Sequence, residues 1–385
     1  MRSLINRLLT IFLIIYILSL NSMHGEKFPN ELKFYIFEFF YNNKDFRDFV
    51  INLNNLVNLS HVNRNLRNII LKRENSYIPY AVNQFVKNNK DNPNLFENLI
   101  QGINLLNLPN IRDIVLASIK HSIELNNIDI SNKYYSTSNN HTLLVRYILD
   151  KNIPYIRSLF LLLNTLEKRD LIKDDRINLF LSNINRSVVV TPLIYACYTQ
   201  NKELVKILLE NEVDVNETDE NGNTALFYSS LIVNLDLEII NLLLNYGANV
   251  NIQNKVGYTA LMDAVEANNL DLIRLLLAHR ANPDLKEYEV GETALFIAVE
   301  DESLEAVKIL ILEGKANINL QDEIGNTALM NAINNDNNNM VEFLLENGAD
   351  VSIRNENDED ALDLARENDN QEVLNMLEWI SSTNL

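Results

Sequence analysis

Cysteine, histidine, glycine and tryptophan are all scarce in this chain, and most of these scarcities exclude a class of protein. Cys197 is the single cysteine of 385 residues, so no disulfide can form within the chain and no cysteine-based metal cluster exists. It reads as a packed thiol rather than a nucleophile. The five histidines, His24, His61, His121, His141 and His279, are scattered and never take the i, i+4 spacing that puts two imidazoles on one helix face. No glycine-rich run precedes a Lys-Ser or Lys-Thr pair, which excludes a phosphate-cradling loop. With no clustered acid/base pair or ligand set, the sequence reads as non-enzymatic, with no cofactor and no metal site.

Basic residues are scarce in one half only. Residues 191–385 hold 10 Lys/Arg against 36 Asp/Glu, a net −26, whereas residues 1–190 hold 23 against 16, a net +7. The acidic half repels phosphates, so nucleic acid is not an expected partner. The 47% of hydrophobic residues suffices for a core and excludes wholesale disorder.

The first 25 residues read as a signal peptide or N-terminal anchor. Arg2 and Arg7 precede an apolar run, Leu8 to Leu20, of 13 residues, whereas a membrane span needs about 20. Such a run suits the core of a secretory leader, with Ser22 or Gly25 at the cleavage position. The expectation is an exported protein, secreted or in the envelope, with a membrane involved only if the leader is retained. Residues 27–71 read as helices interrupted by Asn-rich stretches. Residues 72–140 read as a helical connector, amphipathic over Tyr80 to Val86 and Ile111 to Ile123, with loops at Asn88 to Pro93 and Ser136 to Asn140.

What the second half has in plenty is repetition. Thr224-Ala225-Leu226 returns as Thr259-Ala260-Leu261, Thr293-Ala294-Leu295 and Thr327-Ala328-Leu329, with Gly222, Gly257, Gly291 and Gly325 two residues ahead. Thr191-Pro192-Leu193 precedes the series and Asp360-Ala361-Leu362 closes it, at spacings of 33, 35, 34, 34 and 33 residues. Such a period marks a solenoid, in which each unit buries its apolar face against its neighbours. Residues 141–186 read as a degenerate first repeat with the charged segment Glu167 to Asn185 inserted, and residues 187–380 as the regular repeats.

Asp219 to Leu226, Leu242-Leu243-Leu244 and Gly247-Ala248-Asn249-Val250-Asn251 carry a resemblance to the ankyrin repeat. The fold class expected is therefore all-α: a solenoid of helix-turn-helix repeats joined by β-turn loops, preceded by a small helical domain. Thr caps each inner helix and the glycine before it supplies a turn. Gly247, Gly314 and Gly348 are expected to end the outer helices in the left-handed conformation. Glu212 and Arg280 stand at that position without being glycine, at a cost of about 1 kcal/mol each if the turn is kept. Phe227, Met262, Phe296 and Met330, at one consensus position, read as packing between repeats.

The resemblance also implies where a protein target binds: on the concave face, at the turn tips and late in each inner helix. The tips carry Glu220, Asn221, Lys255, Val256, Glu289, Val290, Glu323 and Ile324. Tyr198, Thr199, Leu231 and Ile232 occupy the helix positions of the early repeats. Glu266, Ala267, Glu300, Asp301, Asn334 and Asn335 occupy those of the later ones. Tyr198, Leu231 and Ile232 suggest an apolar patch beside an acidic stretch, suited to a partner with an apolar anchor and a basic flank.

A second motif lies near the front. Phe28-Pro29-Asn30-Glu31-Leu32 is followed by Ile36, Phe39 and Phe40. Leu56, Leu59, Val62 and the run Asn63-Arg64-Asn65-Leu66-Arg67 come after about ten extra residues. Leu32, Ile36 and Phe40 form one stripe, and Pro29 suits a first helical turn. This segment resembles an F-box, which implies docking on a Skp1-type adaptor of a cullin ubiquitin ligase through Pro29, Glu31, Leu32, Ile36, Phe40, Leu56, Leu59 and Val62. The combination resembles secreted effectors of intracellular bacteria, acting in a host cytosol. The alternative is an ankyrin scaffold of the bacterial envelope or periplasm with no ligase link.

Overall fold

The computed structural model describes Arg47 and residues 77–383, apart from residues 93, 107–108, 127, 129–141, 173–174, 182–185 and 233–236. The segment 1–25, expected to be a leader, and, apart from Arg47, the segment 27–71, expected to be F-box-like, lie outside the described residues.

The first helices follow the apolar spacing of the sequence. They are α1 (Tyr77–Asn88), α2 (Leu95–Asn104), α3 (Pro109–Leu125), α4 (Leu143–Leu149) and α5 (Ile153–Leu166). The chain forms two compact units, one built on α1–α3 and α5, the other on α4 and everything after Lys168. In the first unit α1 packs on α3. Val82 and Val86 of α1, and Val115 and Ile119 of α3, are fully buried, each pair spaced by one helical turn. Asn126 Nδ2 donates to Asn83 Oδ1 at 3.1 Å, joining the end of α3 to α1.

The second unit contains an element that the sequence reading did not anticipate. Ile177–Leu181 (β1) and Arg186–Val190 (β2) form an antiparallel pair, with Ile177 opposite Val190 and Leu181 opposite Arg186. Val188 and Val190 are buried while Ser187 and Val189 are exposed, the period-two alternation of a half-buried strand. The charged segment Glu167 to Asn185 therefore supplies one strand of a hairpin whose other strand is the β-branched run before Thr191. A β-turn-and-helix repeat pattern has no place for it, so the repeat register concealed it.

Six helix pairs follow: α6 (Pro192–Tyr198) with α7 (Lys202–Glu210), α8 (Ala225–Ser230) with α9 (Leu237–Asn245), and α10 (Ala260–Glu266) with α11 (Leu270–Ala278). Then come α12 (Ala294–Glu300) with α13 (Leu304–Lys308), α14 (Ala328–Asn334) with α15 (Asn338–Glu346), and α16 (Ala361–Glu367) with α17 (Gln371–Thr383). The inner helices α6, α8, α10, α12, α14 and α16 pack in one row, each also on its own outer partner. Leu193, Leu226, Leu261, Leu295 and Leu329 are buried in that row, as are Met262, Phe296 and Met330.

Caps fix both helix layers. Thr191, Thr224, Thr259 and Thr327 each accept the N–H three residues on, whereas Thr293 makes no such bond. Asp360 replaces threonine in the last repeat and accepts from Leu362 and Asp363 at 3.0 Å. Four outer helices are capped by Asn201, Asn269, Asn337 and Asn370, each accepting an N–H at 3.1 Å.

The uneven spacing has a local cause in each case. The two surplus residues of the 35-residue step lie between α8 and α9, and that of the first 34-residue step lies in the turn from Glu287 to Thr293. The surplus residue of the second 34-residue step is absorbed at Ile309–Glu313, where α13 widens into a π-helical turn, the usual way a helix accommodates one insertion. This overturns one expectation. Gly247 and Gly348 are left-handed at φ +87° and +92°, but Gly314 is not, and the left-handed residue is Lys315 at φ +58°. Glu212 and Arg280 keep the left-handed turn at φ +61° and +67°.

Candidate protein-binding face

Each turn tip is organised by one polar side chain. Asp219 Oδ1 accepts from Asn221 N at 2.9 Å and Asn223 N at 2.8 Å, and Asp322 Oδ1 accepts from Ile324 N at 3.0 Å and Asn326 N at 2.8 Å. Asn254 and Asn355 do the same in their repeats. In the longer turn a glutamate takes over: Glu287 accepts from Glu289 at 2.7 Å, Val290 at 2.6 Å and Glu292 at 3.2 Å. Burial alone would raise the Glu287 carboxyl, but the backbone N–H groups of Glu289, Val290, Glu292 and Gly291 outweigh it and hold it below the ordinary value.

Successive tips are joined through their backbones. Lys255 N donates to Asn221 O, Tyr288 N to Val256 O and Glu323 N to Val290 O, all at 2.9 Å, and Glu356 N donates to Ile324 O at 3.0 Å. These bonds occupy main-chain groups and leave the side chains standing outward. Glu220, Lys255, Glu289 and Glu323 are exposed, and Asn221 is half-buried. The same row presents apolar groups to solvent: Val256 is 53% exposed, Tyr288 60%, Val290 51% and Ile324 59%. Four large apolar side chains on successive turns are far from the scattered exposure a soluble surface shows anyway.

The helix positions are less uniform. Tyr198 is half-buried and meets the Tyr228 ring edge-on at 6.3 Å. Leu231 is exposed and Ile232 half-buried, so the early repeats offer less apolar surface than the tips. Thr199 donates its hydroxyl to Tyr195 O at 2.8 Å, finishing α6. Glu266, Glu300, Asp301 and Asn334 are exposed at the ends of α10, α12 and α14. Sequence reasoning missed Tyr288, because the extra residue in that turn shifts the register. It also missed Asp263, buried on α10, and Glu292, half-buried just before α12.

Burial pushes the Cys197 thiol up to about 12, only partly offset by the nearby Ser229 hydroxyl, which suppresses the thiolate. Among the described residues no helix is long and apolar enough to cross a membrane.

This architecture defines a class, the helical repeat proteins whose stacked turns and inner helices form one continuous face. An ankyrin-repeat family model matches three times, at residues 160–235, 229–322 and 302–379, and the chain belongs to that family. It is 32% identical over 188 residues to an ankyrin repeat protein of fowlpox virus (strain NVSL), a match covering 48% of this chain and 46% of that protein. It is also 32% identical over 110 residues to one from Acanthamoeba polyphaga mimivirus, covering 24% of this chain and 68% of that protein. The match to ankyrin repeat domain-containing protein 13B of Homo sapiens is 33% over 90 residues and spans only 14% of it. The chain thus spans less than half the length of the fowlpox and human relatives. Among solved structures, the ankyrin repeat domain of Bcl-3, a member of the IkappaB protein family, superposes with a TM-score of 0.52 at 26% identity. It covers 63% of this chain and 100% of that one.

Proposed function

We propose that the protein is a non-enzymatic adaptor: its repeat stack holds a target protein, and its F-box-like segment recruits a Skp1-type adaptor of a cullin ubiquitin ligase. The observation that carries the first half is the row of exposed Val256, Tyr288, Val290 and Ile324 on hydrogen-bonded tips. Few well-placed apolar anchors supply most of the energy in protein recognition. The ligase link rests on the Phe28-Pro29-Asn30-Glu31-Leu32 motif and its apolar stripe. On this reading the leader exports the chain, which then works as an effector inside a host cell. An adaptor needs no catalytic group, because holding two proteins together raises their effective concentration.

Affinity capture from a eukaryotic lysate tests both halves. A Skp1-type adaptor should be retained by the full chain and lost with Pro29→Ala plus Leu32→Ala, while the target should be lost with Val256→Ser plus Ile324→Ser. Retention of the target without any Skp1-type adaptor removes the ligase link and leaves the envelope scaffold. A target still captured by the tip variant places recognition elsewhere.

A further inference from the structure

The tips of the third, fourth and fifth repeats have spent their main-chain donors on themselves. Lys255 N donates to Asn221 O at 2.9 Å, Val256 N and Tyr258 N to Asn254 Oδ1 at 3.0 and 2.9 Å, and Gly257 N to Asn254 O at 3.0 Å. Tyr288 N reaches the Val256 carbonyl. Glu289, Val290 and Glu292 give their N–H groups to the Glu287 carboxylate, which the Gly291 N–H also stabilises. Glu323 N bonds Val290 O, Ile324 N and Asn326 N bond Asp322 Oδ1, and Gly325 N bonds Asp322 O. A partner segment that adds itself as a strand needs open main-chain groups along an edge, and these tips hold out no N–H to it.

What the tips present is side chains. Val256, Tyr288, Val290 and Ile324 stand exposed on three successive tips. A Cβ on Gly257 would lie 2.9 Å from Tyr288 Cδ1, so the Tyr288 ring rests on that glycine. An anchor already fixed loses little freedom on binding. Neighbouring repeats set these tips about 8–10 Å apart, the interaxial distance of helices packed side by side. Seven residues of α-helix advance about 10.5 Å and return to the same face. An extended strand returns to one face only at every second residue, at about 7 or 13 Å. A polyproline segment matches the spacing, at about 9 Å per turn, but arrives with its main chain unpaired. A helix brings its N–H and C=O groups already bonded, so covering the tips strips water from no unpaired main-chain group along its length. Charge decides the flanks. Glu220, Glu289, Glu323 and Glu356 are exposed along the same row, and among the described residues none of them forms a salt bridge. Lys255 is the one base at these tips, and Lys286, next to the fourth tip, is turned to the Gln321 carbonyl at 2.5 Å.

We propose that the tip row of the third to fifth repeats receives a basic amphipathic α-helix of the target protein. Its apolar residues, seven apart, would lie on Val256, on Tyr288 with Val290, and on Ile324, with Lys or Arg beside them facing Glu289 and Glu323. Three tips ask for positions i, i+7 and i+14, about four turns of helix. The fourth tip, in the middle of the row, supplies two of the four anchors. This helix site rests on the reading of the stack as a protein-binding face and adds what that face selects: a helix recognised through side chains alone, with opposite charge at its flanks.

The test titrates fluorescein-labelled peptides of about six turns into the full chain and reads fluorescence anisotropy. Each is built of Ala and Lys around three leucines. One places the leucines seven apart, and a second of the same composition places them five apart. A third carries Glu for Lys, and a fourth a central Pro that breaks the helix. The seven-spaced Lys peptide should bind about tenfold tighter than the five-spaced one, with the Glu and Pro peptides weakest. Val256→Ser with Ile324→Ser should erase the preference for seven-residue spacing without lowering the melting temperature, since both side chains are exposed. Glu289→Lys with Glu323→Lys should weaken the Lys peptide about tenfold, and unchanged affinity there overturns the basic flank. Equal binding of the two spacings, tightest binding of the Pro peptide, binding of no peptide, or a spacing preference that survives the serine substitutions overturns the helix site. In each of those cases a target lost from the serine variant in lysate capture still upholds the protein-binding face.

Discussion

Single residues in this stack differ in consequence according to what the next repeat places against them. Gly247 and Gly257 share the left-handed backbone, at φ +87° and +86°. A Cβ on Gly247 would meet nothing within 4 Å, whereas one on Gly257 would lie 2.7 Å from Glu287 Cα and from Tyr288 N, the very N–H that binds Val256 O. Gly247→Ala should therefore cost about 1 kcal/mol, the price of the left-handed turn alone. Gly257→Ala should cost about 3 kcal/mol or more, because backbone must move. Urea denaturation of the two variants checks this, and equal losses would show that contact between tips contributes nothing. The glycines before each Thr were legible from the repeat. The difference between two glycines of equal φ was not, because the clash comes from a residue about thirty positions away in sequence.

At the scale of elements, an Asn, Asp and Gln lattice ties each repeat to the next. Asn249 N donates to Asn216 Oδ1, Asn282 N to Asn251 Oδ1, Asn317 N to Asp284 Oδ1 and Asp350 N to Asn319 Oδ1, all at 2.8 Å. Gln253 and Gln321 each bridge two backbone carbonyls, one in their own repeat and one in the following repeat. Such a lattice explains why one inserted residue does not break the stack: the fourth repeat keeps its bonds and takes up the surplus in the turn at Ile309–Glu313. Twelve positions separate the cap Ser303 from left-handed Lys315, against eleven from Asn269 to Arg280. Deleting Gly314 should let this turn close as ordinary α-helix with Lys315 still left-handed. The melting temperature should then stay within about 4 °C of the parent or rise. A larger fall in thermal melts would mean that the widened turn is required for packing. The abundance of asparagine was visible in the sequence, but its use as caps and ties depends on neighbours that only the stack supplies.

At the scale of the whole molecule, the net charge of −19 is joined by carboxyls that resist ionising. Asp263 and Glu292 are both pushed up to about 7, chiefly by burial. In the unfolded chain such groups return to about 4. Between those values the folded state holds protons that the unfolded state has released, so their contribution is fully present below about pH 4 and lost as pH rises through about 7. Glu287 and Asp350 are shifted downward and act in the opposite sense, at lower pH. Stability should therefore fall from about pH 6 to about pH 8, and Asp263→Asn should flatten that slope while raising stability at the upper end. Urea titrations at both pH values decide it; the same slope in parent and variant would show that Asp263 is not the group concerned.

The sequence by itself determined the repeat, its register, the inner Leu row and the tip positions, because these depend on local periodicity and on residues that act within one turn. The segment that resembles an F-box and the apolar run expected to be a leader lie, apart from Arg47, outside the described residues. Only the tertiary structure decided which tip side chains are left apolar and exposed. It also decided which carboxylate of the inner helices is buried, Asp263 on α10. Tyr288 stands beside Val256 because its N–H bonds the Val256 carbonyl of the preceding tip, and Asp263 is buried on α10, against which α8 packs. Both are relations between neighbouring repeats, and a pattern read one repeat at a time contains no term for them.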